Sequence, residues 1–213
     1  MPSESYRVPA RDGEATVEVR RSRFLARVVR VQDDAAVRAV VEAVRAEHPG
    51  ARHHCSASVV GPTGDERRAH DDGEPAGTAG APMLEVLARS GTSDVVAVVS
   101  RWFGGTLLGA GGLVRAYGEA TAAALAAAGT RERRRLVELT VQVPPADAAR
   151  LEHELRADGA SVLGTTWGTT VDLLVAVRET HVTAVQGRVA ASTSGTGRVV
   201  RAGTRWVDGP VTP

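Results

Sequence analysis

The 213-residue chain reads as an α+β protein of two domains, and three observations carry that reading. Short β-branched runs and stretches of helical period follow one another along the chain, the pattern of sheets that acquire helical cover. The run RERRR at 131–135 breaks the pattern, which then restarts. From Leu136 onward the order is strand, helix, strand, strand, helix, strand, that of a ferredoxin-like split βαβ sandwich. The domains are therefore expected at 1–130 and 136–213, joined by a basic linker at 131–135.

Glu14 to Val31 reads as two strands about a tight turn near Arg20 to Ser22. Asp33 and Asp34 can cap a helix whose apolar positions Val37, Val40, Val41 and Val44 share one face, and Pro49-Gly50 ends it. Arg52 to Val60 is a strand with His53 and Cys55 on one face and His54 on the other. Gly61 to Gly80 is polar and glycine-rich and reads as a loop. Pro82 suits a first helical turn, with Met83, Leu84 and Leu87 as its apolar side. Val95 to Phe103 is a buried strand, followed by a helix from about Gly112 to Ala128 that stops at Gly129.

In the second half, Leu136 to Val143 alternates as a strand, and Pro144-Pro145 opens a helix through Ala157 that Asp158-Gly159 closes. Ser161 to Trp167 and Thr169 to Val177 form a hairpin about Gly168. Glu179 to Ala190 is helical, and Arg198 to Val207 is the last strand.

Composition excludes several classes. The hydrophobic share is 43% with only 3% aromatics, so the core is built from Val, Leu and Ala. There is no lysine, which removes P-loop nucleotide hydrolysis and Schiff-base chemistry. A net charge of +1 is not that of a protein coating nucleic acid, so any contact with it uses a local patch, such as Arg20-Arg21-Ser22-Arg23 or RERRR. Cys55 stands alone, which rules out an internal disulfide and a cysteine-cluster metal site. Neither a signal-peptide pattern nor a membrane-length apolar run is present, so a cytoplasmic, membrane-free protein is expected.

Two glycine-rich stretches hold the candidate chemistry, DDGEPAGTAGAP at 71–82 and RWFGGTLLGAGGLVRAYG at 101–118. The second follows a strand and opens a helix, an arrangement that bares main-chain N–H groups at the positive end of the helix dipole and favours an anion. Gly104, Gly105, Gly109, Gly111 and Gly112 are the candidate donors, with Arg101 and Arg115 as the charge that matches phosphate. Arg52, His53 and His54 are expected at the rim. Asp72, Glu74, Gly77 and Thr78 complete the candidate anion site, with Thr78 also able to cap the next helix. The glycines equally suit tight turns and close packing. Of Trp102 and Phe103, which alternate across the strand, one could offer a base a stacking face. No catalytic residue, metal site or cofactor is assigned. The competing reading is a hydrolase or other enzyme acting on a small phosphorylated or peptide substrate through His53, His54, Cys55, His70, Asp72 and Glu74.

At these residues the chain resembles the YigZ/IMPACT family. The matching pieces are Ser22-Arg23-Phe24, Ala51-Arg52-His53-His54-Cys55 and the two glycine-rich stretches, in the family's order and spacing over roughly residues 15–125. Residues 136–207 fit the smaller second domain of the bacterial branch by length and pattern. The resemblance implies a first domain similar to domain IV of elongation factor G and a second like its domain V, regions that face the ribosome and RNA. Eukaryotic relatives act in translational control through protein partners, using an extra domain that this chain is expected to lack. Ala81 stands where the family often has a basic residue, and Trp102-Phe103 where tyrosines are common. The resulting expectation is a non-catalytic RNA- or ribosome-associated protein that modulates translation. A protein partner held by the Pro75 to Gly80 loop is the third option, and the oligomeric state is left open.

Overall fold

The computed structural model describes residues 4–212. The fold is α+β and divides into two compact units. The first comprises the described residues through Arg133 together with those from Asp208, and the second runs from Arg134 to Val207.

In the first unit the elements are β1 (Ser5–Pro9), β2 (Gly13–Val19), β3 (Ser22–Arg30), α1 (Asp34–Glu47), β4 (His53–Val60), β5 (Glu66–His70), α2 (Gly80–Ser90), β6 (Val95–Trp102) and α3 (Ala110–Ala128). The sheet order is β2-β3-β6-β4-β5, with every neighbouring pair antiparallel. Period-two alternation sorts the side chains. Phe24, Ala26 and Val28 of β3, Cys55, Ala57 and Val59 of β4, and Val95, Ala97 and Val99 of β6 face one side, where Met83 and Leu87 of α2 and Leu113, Tyr117 and Ala120 of α3 cover them. The other side presents Val96 and Val98 to Val37, Val40, Val41 and Val44 of α1. A central strand covered on both faces has no polar face, which is why β6 reads as an unbroken apolar run.

Both residues of the β2–β3 turn are left-handed, Arg20 at φ 46° and Arg21 at φ 68°. That is the twist a two-residue hairpin turn requires, and Asn-Gly ordinarily supplies it. β5 corrects the loop reading of 61–80: Glu66 to His70 pair with Val60 to Ser56 as an edge strand. All five residues are exposed, so no apolar alternation marked them, and their charges keep the open edge from pairing further.

The second unit holds most of β7 (Thr130–Val143), α4 (Pro145–Ala157), β8 (Ser161–Trp167), β9 (Val171–Val177), a 3-10 turn (Glu179–His181), α5 (Val182–Ser192) and the larger part of β10 (Arg198–Thr212). Its strands run β7-β9-β8, with β10 also on β7, and its core is Leu139, Val141, Leu151, Leu155, Leu173, Val175 and Val189.

Two boundaries differ from the sequence reading. Residues 131–135 are not a linker but the start of β7, because their guanidinium groups have fixed partners within their own units. Arg131 donates to Ala10 O at 2.9 Å and Arg133 to Asp94 Oδ2 at 3.1 Å, while Arg135 reaches Thr204 Oγ1 at 3.4 Å. The last strand continues past Val207, and Asp208 belongs to the first unit, where Arg30 holds its carboxylate at 2.5 Å.

Candidate functional site

One end of the first unit collects the start of β4, the end of β6, the β5–α2 loop, the β6–α3 loop and the β2–β3 turn. The β4–β6 register sets His53 opposite Arg101 and His54 opposite Ser100, so alternation sends the two histidines to opposite faces.

The β5–α2 loop is organised around two neighbouring carboxylates. Asp71 accepts from the N–H groups of Gly77 at 2.8 Å, Ala79 at 3.0 Å and Gly80 at 2.8 Å. It thereby caps α2 from nine positions upstream. Desolvation pushes its pKa up, but those three amides together outweigh it and hold the carboxyl below the usual range. Asp72, left-handed at φ 43°, accepts from His54 N–H at 2.7 Å and from Arg45 at 3.1 Å. Its carbonyl lies 2.8 Å from His53 Nδ1. The loop is thus tied to β4, α1 and α2 at once.

Beneath it lies a buried polar cluster. The Glu74 carboxylate sits 2.6 Å from the Arg101 guanidinium and accepts from Tyr117 Oη at 2.7 Å. The side chains of Arg101 and Glu74 are only 7% and 3% exposed. Cys55 donates from Sγ to Asp71 O at 3.0 Å and lies 3.3 Å from Tyr117 Oη. Burial pushes the Cys55 thiol up to about 12 and raises Tyr117 as well. On the opposite face His54 Nδ1 meets Ser100 Oγ at 2.9 Å, and desolvation lowers its pKa, which favours the uncharged imidazole.

This arrangement redistributes the candidate residues into an inner and an outer set. The inner set is His53, His54, Asp72, Glu74, Gly77, Thr78, Arg101 and Gly104, and each has an internal partner. Arg101 is not an open charge for an anion, since its guanidinium is committed to Glu74. Gly104 is not an anion donor either: its N–H goes to Ser22 Oγ at 3.1 Å, and a Cβ there would fall inside the backbone of Arg21 and Ser22. Thr78 does not cap α2. Its hydroxyl closes a turn onto Pro75 O at 2.6 Å, and Asp71 does the capping. The outer set is Arg52, Gly105, Gly109, Gly111, Gly112 and Arg115. Arg52 and Arg115 are exposed, and a Cβ at Gly105, Gly109 or Gly111 would meet nothing within 4 Å.

The cluster proposed for enzymatic chemistry does not assemble as one. A thiol buried and held protonated is a poor nucleophile, and His70 lies on the exposed edge strand. No group of three His, Cys, Asp or Glu able to hold a metal occurs among the described residues. No described helix is long and apolar enough to cross a membrane.

From sequence, Asp71 to Glu74 reads as a turn whose carboxylates cap backbone groups, and Asp71 does cap three amides; sequence reasoning missed Tyr117 as a partner of Glu74. For Tyr117 only its place in the second glycine-rich stretch hinted at a role. The neighbours Trp102 and Phe103 also part company. Arg23 lies over the Trp102 ring at 3.8 Å from its centroid and the His48 ring approaches at 5.6 Å, whereas Phe103 is 45% exposed.

The fold and this carboxylate-organised end define a two-domain α+β protein whose glycine-rich loops are held largely by internal hydrogen bonds. Residues 20–125 match the Impact N-terminal domain and residues 141–196 a domain of unknown function, DUF1949. The chain is 47% identical over 141 residues to the IMPACT family member YigZ of Escherichia coli (strain K12), covering 65% of this chain and 69% of the relative. It is 39% identical over 152 residues to the IMPACT family member YvyE of Bacillus subtilis (strain 168), covering 71% and 70%. A crystal structure described as that of a hypothetical protein aligns over 93% of this chain and 97% of its own, at 37% identity and a TM-score of 0.64. The chain belongs to the IMPACT family.

Proposed function

We propose that the protein is a non-catalytic RNA- or ribosome-associated factor that modulates translation, and that it meets phosphate through the arginine-rich end of its first unit. The observation that supports this is a group of exposed arginines without an ion pair among the described residues. Arg20 and Arg21 form the β2–β3 turn and Arg23 follows it. Arg52 precedes β4, and Arg115 lies early in α3. Contacts tie them to one end: Arg20 donates to Leu107 O at 3.4 Å, Arg23 stands opposite Trp102 in the sheet register, and Arg52 N–H bonds Arg101 O at 3.0 Å. Exposed guanidinium groups without carboxylates are ready for phosphate. The turn adds a second argument. Two arginines in left-handed backbone cost roughly 1–2 kcal/mol each, a strain a fold retains where the side chains have a use.

The test is filter binding and ribosome co-sedimentation of the wild type beside a triple variant, Arg20→Ala, Arg23→Ala and Arg115→Ala. The wild type should bind with a salt-dependent affinity, and the variant should flatten the log–log salt slope by about 2 on single strands. Absence of wild-type binding to RNA and ribosomes at low salt refutes the reading.

A further inference from the structure

We propose that this end of the first unit takes unpaired nucleotides of single-stranded RNA, with a base stacked on the bare face of Phe103; the inference rests on the RNA reading above. Trp102 ends β6 and Phe103 follows it, and the structure gives the two rings different duties. Trp102 carries Arg23 on one face at 3.8 Å and meets the His48 ring at a steep angle, 5.6 Å between centroids, so it holds an arginine in place. Phe103, just beyond the strand end, is 45% exposed.

One side of Phe103 has a neighbour of set position: the Arg101 guanidinium lies 5.8 Å from its centroid and is itself anchored by Glu74 at 2.6 Å. The loop that follows carries Leu107, 81% exposed, and Gly105 and Gly109, where a Cβ would meet nothing within 4 Å. Gly104, next to Phe103, packs against the Arg21–Ser22 backbone, so a flat group on Phe103 would have its phosphates beside the hairpin arginines.

Charge and shape together select the occupant. Arginines alone would accept any polyanion, including RNA duplex or an acidic protein. A bare aromatic face among them is of use only to a ligand that presents its own flat faces, and paired bases keep theirs inside the stack.

The test is fluorescence anisotropy at about 50 mM salt with a labelled RNA of about 12 nucleotides. It is run single-stranded, annealed to its complement, and with its bases removed at central positions. Phe103→Leu keeps an apolar side chain at an exposed position, and circular dichroism checks its fold; Phe103→Trp keeps the ring. The single strand should bind about tenfold more tightly than the duplex or the abasic strand. Phe103→Leu should abolish that margin and Phe103→Trp should retain it. Equal binding of single strand and duplex, both insensitive to Phe103→Leu, overturns the stacking inference and leaves the RNA reading intact. Displacement of the RNA by poly-glutamate of matched charge at equal concentration overturns it too, in favour of an acidic protein partner. Failure of every RNA form to bind overturns both.

Discussion

Removing the Glu74 carboxylate tests whether the cluster beneath the β5–α2 loop is what holds this end of the molecule together. In Glu74→Ala, Arg101 keeps its charge in a site where its side chain is only 7% exposed, and Tyr117 loses the acceptor at 2.7 Å. Breaking a buried ion pair by deleting one partner costs about 3–5 kcal/mol, because the other charge is left uncompensated. Stranding the Tyr117 hydroxyl adds about 1–3 kcal/mol at most. Against a typical total of roughly 5–15 kcal/mol, the variant should be severely destabilised. The converse change separates charge from packing. Glu74→Leu combined with Arg101→Met removes both charges with similar volume and should recover most of the loss. Urea titration followed by Trp102 fluorescence reads the first unit, with Trp167→Phe and Trp206→Phe in the background to silence the other indoles. If Glu74→Ala shifts stability by less than about 1 kcal/mol, a surface-like value, or if the double variant is no better than the single, the buried-pair argument is wrong.

Other variants probe other parts of this end. Gly104→Ala should fail to fold or lose the hairpin contact, since its Cβ would overlap the Arg21–Ser22 backbone; soluble yield and hydrogen exchange at Ser22 report it. Replacing Arg20-Arg21 by Asn-Gly should raise stability by about 1 kcal/mol or more while weakening RNA binding; unchanged binding would remove the turn from the interface. His54, lowered by burial, contributes stability that is whole above its unfolded pKa of about 6.5 and is lost as pH falls below it. Thermal melts of the wild type should therefore decline from pH 7 to pH 5 on that side of about 6.5, and His54→Gln should flatten the decline. Asp71, held low by backbone amides against desolvation, contributes stability that is complete above about pH 4 and disappears as pH falls through its lowered pKa. The gap between wild type and Asp71→Asn should close over that range.

The element order was largely legible because burial writes a period into sequence. Val37, Val40, Val41 and Val44 mark α1, and the apolar run from Val95 marks a strand covered on both faces. β5 escaped because an exposed edge strand is specified by its neighbour's free hydrogen-bonding groups and not by its own side chains. RERRR misled for the opposite reason. Charged residues normally signal solvent, and the partners that turned these into strand, Asp94 and the Ala10 carbonyl, lie far away in the chain.

The site divides along the same line. The amino-acid order alone determined which segments to look at, since His53, the 71–82 stretch and the 101–118 stretch do meet at one end of a sheet. It also determined the helix start, with Gly109 as the cap residue of α3. Only the three-dimensional arrangement decided which charges remain available. An arginine beside a glycine loop looks the same in sequence whether it faces solvent or a carboxylate 27 positions away. The physical reason is that an ionic partner is chosen by distance in space and by desolvation, and neither is recorded in local order. That is why Arg101 belongs to the interior and the hairpin arginines to the surface.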